Sequence, residues 1–152
     1  MATWKQFIDG LTQGLGAENV KGGAKDLKVV ATVDVPATAK DGSKKTRRQK
    51  VHFEYDGENT HWIAATSFIG PMTEPKDATT FLEFLGDDVA NPGGVIVDGQ
   101  AGVRSHFSLD EFDNDVVDDT DKKLLEIACM TALIIGRGAD KLEELVTGED
   151  VQ

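Results

Sequence analysis

The sequence predicts an α+β fold: an antiparallel sheet of about five strands flanked by helices, in the order α-β-β-β-α-β-β-α. Three observations predict it. Trp4, Phe7, Ile8, Leu11 and Leu15 form one apolar stripe at the helical period. The runs 27–35, 44–55 and 60–69 alternate apolar with polar residues and are rich in β-branched side chains. The connections between these runs are short and carry Gly, Asp or Asn, which suits hairpins rather than crossover helices. A chain of 152 residues fits one domain, spanning 1–148, with a polar tail at 149–152.

The first helix is expected over Thr3–Leu15, with Thr3 as N-cap, Gln6 completing a capping box, and Gly14 and Gly16 ending it. Leu27–Val35 reads as the first strand, with Val29, Ala31, Val33 and Val35 on one face and Pro36 closing it. Lys44–Tyr55 and Thr60–Ile69 follow as a hairpin. A tight turn on Gly57-Glu58 would pair Phe53 with Trp62 and Val51 with Ala64, and would set His61 opposite Glu54. Arg48, Lys50, His52, Glu54 and His61 then share the wetter face. A second helix is expected over Asp77–Leu85, with Ala78, Phe81, Leu82 and Leu85 on one face. Val95–Val97 and Val103–Leu109 make a last hairpin across Asp98–Gly102. The closing helix starts near Thr120 and is apolar almost all round, which predicts central burial or a shared interface. Gly136 and Gly138 are expected to interrupt it before a short terminal helix over Ala139–Val146.

Sixteen basic residues face 27 acidic ones, for a net charge of −11. Such a surface repels phosphate backbones, so nucleic acid is not an expected partner. No apolar run reaches the ~20 residues of a membrane span. One cysteine, Cys129, excludes an intramolecular disulfide and reads as a packed thiol between Ala128 and Met130. The first residues lack a basic segment followed by an apolar one, so a cytoplasmic protein without a signal peptide is expected.

Catalytic and cofactor motifs fail on inspection. Gly14-Leu15-Gly16 follows a helix, where a dinucleotide fingerprint must follow a strand, and Gly136-Arg137-Gly138 has no Lys-Ser/Thr behind it. His52, His61 and His106 match no metal spacing. No cofactor is expected, and no enzyme, because no nucleophile, base and orienter converge. Two charge clusters stand out. The acidic one runs from Asp110 to Asp121, with Asp113, Asp115 and Asp118 as candidate cation ligands. Val117, Asp118 and Leu124 break the calcium-loop pattern at its fifth, sixth and twelfth positions. The basic one comprises Lys40, Lys44, Lys45, Arg47, Arg48 and Lys50, among which Lys45, Arg47, Arg48 and Lys50 are the candidate contacts for an acidic protein partner.

Trp4-x-x-Phe7, Val51-His52-Phe53-Glu54-Tyr55, Thr66-Ser67-Phe68-Ile69-Gly70 and Val103-Arg104-Ser105-His106-Phe107, together with the element order, resemble the YbjN branch of the type III secretion chaperone-like fold. The resemblance covers nearly the whole chain. It implies a small, non-enzymatic, often homodimeric interaction domain, linked in the YbjN branch to regulation rather than secretion. The basic second strand departs from the acidic surface expected of a secretion chaperone. The function expected is a chaperone-like, adaptor or regulatory module that binds a protein through a sheet edge or an apolar groove. The alternative is a domain responsive to a cation or small molecule through Asp110–Asp121.

Overall fold

The computed structural model of the chain describes residues 2–38, 41–57, 60–72, 75–87, 93–112 and 120–147. Helix α1 (Trp4–Leu15) begins on the expected capping box. Thr3 Oγ1 accepts from the Gln6 N–H at 3.2 Å, and Gln6 Oε1 accepts from the Thr3 N–H at 3.0 Å. Gly14 lies inside the helix instead of ending it, and Gly16, at φ +91°, takes the C-cap. After a 3₁₀ turn at Ala17–Asn19 come β1 (Val20–Lys21), β2 (Lys28–Thr38), β3 (Lys44–Tyr55), β4 (Trp62–Pro71), α2 (Pro75–Asp87), β5 (Gly93–Val97), β6 (Gln100–Ser108), a second 3₁₀ turn at Leu109–Phe112, and α3 (Thr120–Thr147).

Among the described residues the strands form one six-stranded antiparallel sheet in the order β1-β2-β3-β4-β6-β5. The strand beyond the expected five is β1, whose two residues pair with Val30 and Ala31. All three helices lie on one face of the sheet. Val29, Ala31, Val33 and Val35 of β2 are buried there, as the alternation predicts. Phe7 of α1 packs edge-on against Phe53 of β3 at 5.3 Å between ring centroids, and Trp4 stacks on Tyr55 at 5.2 Å. Full burial of a side chain such as Phe7 or Phe53 contributes about 1.5–3 kcal/mol.

Several expectations are corrected. In the β3–β4 hairpin, Phe53 pairs with Ala65 and Tyr55 with Ile63, three positions from the expected register. An odd shift exchanges the faces of a strand. Ile63, Ala65 and Ile69 are therefore buried, while Trp62 is 46% exposed. The cause is a wider connection: the Asp56 N–H closes on the Trp62 carbonyl, and the His61 N–H on the Gly57 carbonyl, with Gly57 at φ +88° and His61 at φ +52°. Pro36 does not close β2, which runs on to Thr38. The last hairpin turns on Asp98-Gly99 alone, both at positive φ as a two-residue I′ turn requires. Phe81 and Phe84 form the buried face of α2, and Leu82 is 66% exposed. The closing helix passes unbroken through Gly136 and Gly138. A Cβ on Gly136 would stand 2.5 Å from Val33 Cγ2, so the glycine lets α3 lie close on β2. That contact outweighs the ~1 kcal/mol a helix loses to glycine.

Candidate functional site

β2 and β3 pair along their whole length, from Lys28–Glu54 to Thr38–Lys44, but β4 joins β3 only between His52 and Tyr55. A register shift at Phe68/Gly70 carries β4 away with β6. The far half of the β2–β3 hairpin thus extends as a two-stranded arm, and all four candidate basic residues sit on it. Side chains alternate across a strand. Arg48 and Lys50 project from the face without helices, and Lys45 and Arg47 from the helix face. The sequence treats these four as one patch; the pleat divides them.

Arg47 is tied to α3 rather than standing free in solvent. Its side chain is 14% exposed, with Nε 3.2 Å from Asp140 Oδ1 and Nη2 3.5 Å from Glu144 Oε2, both on α3. Next to it, Gln49 Nε2 donates to Glu143 Oε2 at 3.0 Å in a fully buried contact, and Gln49 Oε1 has no partner among the described residues. This polar layer under α3 was not anticipated. The signal that could have revealed it is Gln49, a polar residue at a core position of the alternating strand. Arg48 is exposed and held in place: Nη2 donates to Asn19 Oδ1 at 2.6 Å and Nε lies 3.5 Å from Asp34 Oδ1. Lys45 and Lys50 are exposed and form no ion pair among the described residues.

Two hollows border the arm. One, of about 960 Å³, is lined by Lys45, Arg47, Arg48 and Lys50 with Lys21 of β1 and Phe68 of β4. It gathers the four candidate residues and adds Lys21, which lies outside the basic run in sequence. The other, of about 620 Å³, lies between the arm and the C-terminal half of α3, over Val35 to Ala37. At the edge of the first hollow, His52 packs its ring on Phe68 at 5.6 Å. Burial, above all, depresses the His52 pKa, against the opposing charge of Glu54.

The remaining candidates separate. Glu54 faces Ala64, not His61. His61 lies outside the strand, its Nδ1 2.7 Å from Asp110 Oδ1. Asp113, Asp115 and Asp118 fall outside the described residues, as do Lys40 and the tail at 149–152. No group of three His, Cys, Asp or Glu converges on a possible metal position among the described residues. Cys129 sits against Gly14 of α1, and burial raises its pKa. Among the described residues, no helix is long and apolar enough to cross a membrane.

Fold and site define an α+β domain whose sheet is helix-covered on one face and carries a basic two-stranded arm. Compared with models of known protein families and with curated protein sequences, the chain matches none.

Proposed function

We propose that the protein is a non-enzymatic interaction module that takes an extended acidic segment of a protein partner on its basic arm. What carries this reading is a strand edge left open among the described residues and flanked by the exposed cations Arg48 and Lys50. The Lys50 carbonyl accepts from Ser67 Oγ on β4 at 2.8 Å, whereas the Tyr55 N–H donates to Leu27 beside β2. Alternate residues of a strand direct their backbone groups to opposite neighbours. Lys44, Thr46 and Arg48 therefore turn theirs toward the side that β4 has left. By the same parity, the outer edge of β2 presents Asp34, whose charge repels an acidic strand, and Pro36, which lacks an N–H. The edge of β3 is the better acceptor of a strand, with Arg48 and Lys50 beside it to read carboxylates.

The chaperone-like, YbjN-type character suggested by the resemblance belongs to the same proposal, as does the cytoplasmic location expected from the sequence. So does a homodimer, formed through the outer stripe of α3 where Met130 and Ile134 stand exposed.

The test is association with a synthetic Glu-Thr repeat peptide, followed at low and raised salt. The R48E/K50E double variant should slow association about tenfold or more at low salt and leave the thermal midpoint nearly unchanged. Equal binding of the corresponding Gln-Thr peptide, or an unaltered rate in the variant, would overturn the reading.

A further inference from the structure

We infer that the hollow between the arm and α3 is a separate binding site for a small phosphorylated ligand of nucleotide size. Its volume of about 620 Å³ falls within the ~300–1,000 Å³ typical of small-molecule sites. Five cations line it, Lys44, Lys45, Arg47, Arg137 and Lys141, in a chain of net charge −11. Its two carboxylates, Asp140 and Glu144, both lie against Arg47, which fixes that guanidinium at the wall of the hollow. Lys44, Lys45 and Arg137 form no ion pair among the described residues. Lys141 Nζ lies 5.7 Å from the centre of the Phe84 ring, which positions it without neutralising it.

Like charges held around one hollow repel each other until an anion enters, so occupancy should stabilise the fold. Arg supplies planar, multiple donors and Lys supplies point charges, a combination suited to phosphate oxygens. Val35, Pro36 and Ala37 line the hollow as well, giving a sugar or ring an apolar surface. This hollow shares Lys45 and Arg47 with the first, but Arg48 and Lys50 line only the first, and Arg137 and Lys141 only this one.

The experiment is calorimetry and thermal unfolding of the full chain with ATP as probe and adenosine as the uncharged control. ATP should bind and raise the thermal midpoint. R137A and K44A should each weaken it about tenfold or more, while R48E leaves ATP affinity unchanged. Absence of heat and of any midpoint shift at millimolar ATP would overturn the site. So would adenosine binding as tightly as ATP, full affinity in R137A, or an equal loss in R48E. If the acidic peptide loses as much affinity as ATP in R137A, the hollow belongs to the partner surface and the separate site falls.

Discussion

Arg47 and Arg48 are adjacent in sequence, yet one is nearly buried between β3 and α3 and the other stands in solvent beside Asp34. The same side chain therefore contributes differently in the two places. Removing Arg47 leaves Asp140, 8% exposed, without the guanidinium beside it. Breaking a buried pair from one side costs about 3–5 kcal/mol, whereas an exposed pair contributes about 0–1 kcal/mol. Arg47→Ala should thus lower the unfolding free energy by about 3 kcal/mol, and Arg48→Ala by less than about 1 kcal/mol. Urea denaturation of the two variants checks this, and equal small losses would refute a structural role for Arg47. A charge-reversal experiment on the arm must for the same reason use Arg48 and Lys50, since changing Arg47 perturbs the fold as well as the surface.

Between elements, α1 comes close to α3 over two glycines. A Cβ on Gly10 would stand 3.0 Å from Leu125 Cα, and one on Gly14 would collide with Cys129 Sγ. One turn of spacing on each helix brings these positions together, and the absence of two side chains lets the backbones meet. Gly14→Ala should destabilise by about 1–3 kcal/mol despite the better helix propensity of alanine. In a Cys129→Ala background the loss should shrink by about 1 kcal/mol or more, because the colliding sulfur is gone. Additive losses across that double-mutant cycle would show that the helices separate instead. This contact also marks what the sequence makes legible. The apolar stripe of α1, the Thr3 cap and the alternation of β2 are local signals, and the structure follows them. The β3–β4 register was not legible, because it depends on how Gly57 and His61 shape the connection. The unbroken course of α3 was not legible either, because Gly136 is explained only by the distant Val33. Among the site residues, the basic run was readable as a run. The assignment of Arg47 to α3 was not, since Asp140 and Glu144 lie more than ninety positions away.

Across the whole molecule, charge and apolar surface act against each other. Residues 40–50 carry six basic side chains against Asp41 alone, a net of +5, so the remainder carries −16 of the total −11. A body this acidic repels its own copies at low ionic strength. The sheet, α1 and α2 cover most of α3, and the apolar side chains left on its middle are Met130, 56% exposed, and Ile134, one turn later. A stripe that short gives a small interface, whose formation depends on screening the acidic surroundings. The expected outcome is a 16.4 kDa species in low salt that shifts toward twice that mass as salt is raised to about 0.5 M, where the Debye length falls to roughly 4 Å. Met130→Glu with Ile134→Glu should hold the protein monomeric under both conditions, because it replaces the apolar contact with four carboxylates facing each other across the two-fold axis. Light scattering across the salt series reads both. A single mass at every salt concentration would leave the stripe solvent-facing, whereas a dimer that persists in the double variant would move the interface to another surface, with the open face of the sheet around Trp62 the next to test.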